Sequence, residues 1–255
     1  MRALTAGQPL SAAQAIAADR GAKAMMPVGR PFLDYVLHSL ADAGIRRVCL
    51  VVGPSHRDIV ERYTREMAPR RFALELAVQH EPQGTADAVL RAERFAGRRA
   101  FLVVNGDNLY PVAALSALAE LGGPGLVGYE REALVDQGHI DTARIARYAL
   151  IRVGPRGELE RIVEKPDVGA ARALGRDPLV SMNSWSFDGT IFAACRAIGP
   201  SPRGELELQA AVGYAMGSLG VAFRVIRWAE AVLDLTSRAD VGWITERLRD
   251  VEVRL

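Results

Sequence analysis

The feature that most constrains this chain is an alternation along its first half. Short runs of aliphatic and β-branched residues are separated by stretches whose apolar residues recur at helical spacing. The run Arg47-Val48-Cys49-Leu50-Val51-Val52 has the length and composition of a buried strand, and 72–78 and 100–104 are similar. Between them lie predicted helices at 31–43, 55–67, 85–95 and 112–121. The first opens on Pro31, carries Phe32, Val36, Leu37 and Leu40 on one face and stops at Gly44. The second has Ser55 as its expected N-cap, and Gly122-Gly123 ends the last. Strands that alternate with helices in this way build a parallel sheet covered by helices.

The second half changes character. Gly154-Pro155-Arg156-Gly157 is a strong turn signal between apolar segments 148–153 and 158–163, which therefore form a predicted hairpin. Further strands are expected at 180–187 and 221–228, and helices at 205–218 and 236–251, the latter capped by Thr236. The expected fold class is α/β: a Rossmann-like mixed, mainly parallel sheet with helices on both faces and hairpin insertions in the second half. No repeat or linker divides the chain, so one domain over 1–255 is expected.

The composition is that of a globular protein, with 49% hydrophobic and 24% charged residues in 255. A net charge of +2 gives no reason to expect nucleic acid or an anionic membrane as partner, while a homo-oligomer stays open. No run approaches the length of a membrane span, and Gly7 and Pro9 interrupt the N-terminus too early for a signal peptide; the expected location is the cytoplasm. Cys49 and Cys195 lack metal or redox spacing and are expected in the core. The four histidines show no ligand spacing either. Only two of the 32 basic residues are lysine, Lys23 and Lys165. Arginine everywhere else implies that these two positions want a compact ammonium, the alternative being two chance survivors of a codon bias.

In sheets of this kind ligands sit beyond the carboxyl ends of the strands. Three such ends are polar here: Asn105-Gly106-Asp107-Asn108, Gln79 through Gly84-Thr85, and Glu164-Lys165-Pro166. With Lys23-Ala24-Met25-Met26-Pro27-Val28 before them, and Arg203-Gly204-Glu205-Leu206-Glu207 and Leu233-Asp234-Leu235-Thr236 after, the ordered segments resemble those of the sugar-1-phosphate nucleotidylyltransferases. These are the glucose-1-phosphate thymidylyltransferases and the N-acetylglucosamine-1-phosphate uridylyltransferases.

The resemblance implies an enzyme that joins an NTP and a sugar 1-phosphate, or a sugar-like phosphate, and releases pyrophosphate. It implies Mg²⁺ held by Asp107 and Asp234, carboxylates being hard ligands suited to that ion. Lys23 would lie against the triphosphate and Lys165 against the sugar phosphate, and these four residues would be the catalytic set. Ala6, Gly7, Gln79, Gly84 and Thr85 would join Lys23 and Asp107 around the nucleotide, Gln79 pairing with the base and Gly84 allowing close backbone approach. Asn108, Glu164, Lys165 and Asn183 would bind the sugar phosphate. Glu205 and Glu207 serve as well as helix-start charges as they would as ligand contacts. The left-handed β-helix extension of some relatives is not expected.

Three departures stand out. The family's G-x-G-T-R phosphate loop has no counterpart in Ala6-Gly7-Gln8-Pro9-Leu10-Ser11, and Pro9 lacks an amide donor. Arg20 is the nearest substitute cation. The loss leaves open a non-catalytic, nucleotide- or NDP-sugar-binding homologue with a regulatory role. A usual Tyr-Gly is Tyr148-Ala149, and bulky Trp185 stands where a glycine is expected, which implies an altered acceptor pocket or a core position.

Overall fold

A computed structural model describes Gln14 and residues 23–255. The expected positions Ala6, Gly7 and Arg20, and the segment of the missing loop, lie outside the described residues. Helix α1 (Phe32–Asp42) forms as its sequence dictates: Pro31 stands at its N-cap, and Phe32, Val36, Leu37 and Leu40 are buried on one face. Strand β1 (Arg47–Val52) pairs in parallel with β2 (Ala73–Val78).

The helix expected at 55–67 is shorter and ends differently. Helix α2 (Arg57–Glu61) starts at His56 rather than Ser55 and opens into a π turn over Arg62–Glu66. The wider turn lets consecutive residues serve one buried group. Arg62 donates to Asp34 from Nε at 2.9 Å and Nη2 at 2.6 Å, and the Tyr63 hydroxyl donates at 2.7 Å. Arg30, just before α1, donates to the same carboxylate at 3.0 Å, so the fully buried charge is matched from the segment leading into α1 and from the facing turn.

Helix α3 (Thr85–Arg91) breaks at Ala92, earlier than expected. Strand β3 (Phe101–Val103) leads to the short β4 (Asn108–Leu109) and to α4 (Val112–Glu120). Strand β5 (Gly125–Tyr129) was not expected, because two glycines and the preceding Gly-Gly-Pro resemble a loop. All five residues are buried, and a side chain at Gly128 would meet Leu179, Ile151 and Val225 within about 3 Å, so the glycine belongs to close strand packing. After a one-turn helix α5 (Thr142–Ile145), the hairpin β6 (Ala149–Val153) and β7 (Leu159–Val163) forms as predicted. Then follow β8 (Leu179–Phe187), α6 (Thr190–Ala197), α7 (Leu208–Ser218), β9 (Arg224–Trp228), β10 (Leu233–Asp234) and α8 (Arg238–Arg247). Ser237, not Thr236, is the N-cap of α8.

The main sheet runs β9-β5-β8-β6-β7, with β3 sharing the β6 edge of the long β8. The mixed α/β class is as expected, but the described pairings are mostly antiparallel rather than mainly parallel. Among the described residues β1/β2 and β5/β9 are parallel, whereas every strand beside β8 runs against it. The hairpin tip curls back onto the far edge of the sheet: Leu159 N donates to Phe223 O and Val225 N to Gly157 O, both at 2.8 Å. Inside this curl Trp185 is fully buried, stacked on Phe187 with Phe223 at its edge. Trp185 is thus a core residue, as is Cys195, whose thiol burial pushes up to about 12. Cys49 is half-buried in β1. No described helix is long and apolar enough to cross a membrane.

Candidate active site

The end of β3, the hairpin strand β6, the middle of β8 and strand β10 converge on one cavity of about 110 Å³. Asn105, Asp107, Asn108, Tyr148, Asn183 and Asp234 are among its lining residues. Four of these were expected from sequence. The pairing of β10 with β4, Asp234 opposite Asn108, brings together segments far apart in the chain, and Leu235 N donates to the Asp107 carbonyl at 3.0 Å. The register of β8 against β5 shifts between Ser181 and Trp185, and at this bulge Asn183 takes φ 57°. Tyr110 pins the bulge, its hydroxyl donating to Met182 O at 2.7 Å and accepting from the Asn105 amide at 3.2 Å. Lys165 has φ 44°. Two of the three non-glycine residues with left-handed backbone among those described are therefore expected site residues, held there against a steric cost.

The two acidic residues differ in their surroundings. Asp107 faces Lys23, whose Nζ lies 3.8 Å from Oδ2. Burial pushes its carboxyl above the usual range; Lys23 pulls it back and nearby Asp234 pushes it up again. Asp234 is buried and fully engaged on one oxygen. Its Oδ2 accepts from Arg144 Nη2 at 2.5 Å, from the Tyr148 hydroxyl at 2.5 Å and from the Thr236 hydroxyl at 2.7 Å, while Oδ1 accepts from Asn108 Nδ2 at 3.0 Å. Arg144 also donates to Asp240 Oδ1 at 2.7 Å, and the other oxygen of Asp240 takes the Thr236 and Ser237 amides. Burial opposes the Arg144 charge, but Tyr148, Asp240 and Asp234 outweigh it and hold the guanidinium firmly protonated.

Of the remaining expected residues, Gly84 and Thr85 pack on the segment 203–209. Gly84 has φ 120°, and a Cβ there would stand 2.5 Å from Leu206 O. Its missing side chain makes room for this protein segment, which is fastened by Leu206 N to Gln83 O, Ala86 N to Leu206 O and Leu208 N to the Thr85 hydroxyl. Gln79 spends its amide nitrogen on Gly84 O at 3.0 Å and on buried Asp87 at 2.9 Å; its Oε1 accepts no hydrogen bond among the described residues. Glu207 stands at the N-cap position of α7 with no side-chain capping bond, and its carboxylate pairs with Arg203 at 2.8 Å. Burial pushes the Glu164 carboxyl up, partly offset by Lys165 at 3.8 Å. Gln209 donates to Asn183 Oδ1 at 2.9 Å and so ties this segment to the cavity. Both lysines are about half exposed, at 49% and 48%, each beside a carboxylate and neither in the core.

Arg144 and Asn105 were not anticipated. Asn105 stood next to a named motif, but Arg144 is one arginine among many and carries no spacing signal.

The profile described as "Nucleotidyl transferase" matches residues 15–242. The chain belongs to the nucleotidyl transferase family. It is similar to the UTP–glucose-1-phosphate uridylyltransferase AglF of Haloferax volcanii, 28% identical over 232 residues that cover 88% of this chain and 84% of that protein. It is also similar to the bifunctional protein GlmU of Pelotomaculum thermopropionicum, 30% identical over 93% of this chain and 52% of that one. The chain thus spans most of one relative and about half of the other. Among solved structures, a UDP-glucose pyrophosphorylase complexed with UDP-glucose superposes with a TM-score of 0.71 at 17% identity, covering 89% of this chain and 90% of that one, a likeness of fold. Members of this family named among the relatives are sugar-1-phosphate nucleotidylyltransferases, and the expected family and enzyme class hold.

The donor set bears on Mg²⁺. Among the described residues no group of three or more His, Cys, Asp or Glu is arranged to hold a metal ion by itself. Two carboxylates fit an ion that keeps several waters and takes phosphate oxygens as further ligands. Asp107 fits with its partly exposed carboxylate, and Asp234 fits through Oδ1, since Oδ2 already accepts three donors.

Proposed function

We propose that this protein transfers a nucleotidyl group from an NTP to a sugar 1-phosphate, or to a sugar-like phosphate, with Mg²⁺ as cofactor, giving an NDP-sugar and pyrophosphate. The observation that carries the reading is the meeting of Asp107, Asp234 and Asn183 at one cavity with the Lys23 ammonium at its edge. In such a reaction two anions must approach each other, so positioning and positive charge matter more than proton transfer. Lys23 places a point charge beside the triphosphate, and Lys165 does so for the acceptor phosphate. Asn183, oriented by Gln209, and Glu164 hold sugar hydroxyls, while Asn108 steadies Asp234 beside the acceptor. Gln79 offers its free Oε1 to a base donor, with Gly84 and Thr85 beside it. Held by Asp107 and Asp234 Oδ1, the ion would neutralise charge on the phosphate under attack.

A nucleotide-binding protein without turnover is the second reading, favoured by the altered Ala6–Ser11 segment. Pyrophosphate release from a panel of NTPs and sugar 1-phosphates with Mg²⁺ separates the two. Release from at least one pair is expected. No release from any pair, with nucleotide binding intact by calorimetry, selects the second reading.

A further inference from the structure

Asp234 is the more deeply buried of the two carboxylates, and part of its charge is offset within the protein. The Arg144 guanidinium, from α5, forks between Asp234 on β10 and Asp240 on α8, and both contacts are charged. Three donors converge on Asp234 Oδ2, which leaves it no lone pair for a metal. Arg144 is 12% exposed, and its Nε finds no acceptor among the described residues. Its two terminal nitrogens make the hydrogen bonds, one to each carboxylate, and bring the positive charge between them.

We propose that Arg144 is a built-in counter-ion that keeps the nucleotide-free site's affinity for divalent cations low, so that the cation arrives with the triphosphate rather than ahead of it. The inference rests on the reading that Asp107 and Asp234 flank the cation. A cation entering beside Asp107 meets a carboxylate whose charge is partly offset by a guanidinium it shares with Asp240, and that guanidinium has the cation's own sign. The triphosphate brings the anionic oxygens that the protein withholds, so cation and nucleotide enter as one unit.

Mn²⁺ titration of nucleotide-free protein, followed by the electron paramagnetic resonance of the free ion, tests this without reference to turnover. Arg144→Gln is expected to tighten Mn²⁺ binding by about tenfold, as removal of a buried like charge requires. Arg144→Lys, which keeps the charge, is expected to stay within about twofold of wild type; a purely structural arginine would make the two variants behave alike. If Arg144→Gln does not fold by circular dichroism, Arg144→Gln with Asp240→Asn removes both ends of the second ion pair and carries the same expectation. Unchanged Mn²⁺ affinity in a folded Arg144→Gln protein, or equal shifts in the glutamine and lysine variants, overturns the counter-ion role. Mn²⁺ binding that is indifferent to Asp107→Asn in every background overturns instead the site reading on which this inference stands.

Discussion

Asp107 and Asp234 are chemically identical side chains in the same cavity, and their neighbours give them different work. Asp107 has an ammonium at 3.8 Å and partial access to solvent; Asp234 has an arginine, a tyrosine, a threonine and an asparagine in direct contact. Asp107→Asn should therefore leave melting behaviour nearly intact while lowering metal-dependent pyrophosphate release by about a hundredfold or more, the order found when a charge contact made at the transition state is removed. Unchanged release would take Asp107 out of the site. At this scale the sequence is informative where a residue type is scarce. Lys23 and Lys165 stand out because the chain has no other lysine. Arg144 is invisible for the opposite reason. Its importance comes from what the fold sets beside it, Asp234 and Asp240, and nothing local to Ala143-Arg144-Ile145 marks it.

Between residues and the molecule lie the turns and bulges that aim side chains. The π turn at Arg62–Glu66 and helix α1 enclose Asp34, whose carboxyl burial pushes up but whose bonds to Arg62, Tyr63 and Arg30 hold it below the usual carboxylate range. Asp34→Ala should cost about 3–5 kcal/mol, since it strands an arginine and a tyrosine in the interior, and urea unfolding at neutral pH measures it. A depressed folded value has a definite sign in acid. The Asp34 contribution is complete above the unfolded value of about 3.9 and is lost as pH falls through the lower folded one, so the stability of the wild type should drop across that window and that of Asp34→Asn should drop less. Helical periodicity shows that α1 and α2 exist, but it carries no trace of the π turn, which is imposed by a partner on another helix. The same holds for β5. Its glycines resemble a loop until β8 and β9 press on both sides, and only then is the lack of a side chain an advantage. Hairpin β6–β7 was legible because its turn residues act locally.

For the molecule as a whole, the described apolar residues pack into two clusters, one around α1 and β5 and one inside the curled sheet around Trp185. Neither contains a cation ligand, so stability should not depend on metal. Exhaustive chelation is expected to leave the melting temperature unchanged, whereas a saturating NTP with Mg²⁺ at about a hundred times its dissociation constant should stabilise the fold by about 2.7 kcal/mol, as a thermal melt would detect. A fall on chelation alone would mean that the ion is structural. Of the polar strand ends that marked the site in the sequence, 105–108 lines the cavity, while Gly84 and Thr85 are tied to it through the segment 203–209, which reaches Asn183 by way of Gln209 and could be placed only once Gly84 was seen against Leu206. The closure of residues 157–159 onto 223–225 sets an order of events in assembly. Those backbone bonds join parts of the chain separated by the whole of β8, α6 and α7, so they cannot profit from a small loop and must wait until the strands between them have found their neighbours. In pulse-labelled refolding, the amide protons of Leu159 and Val225 will gain protection after those of the β6–β7 ladder, and the aromatic centre around Trp185 will be the last part of the interior to shed its water.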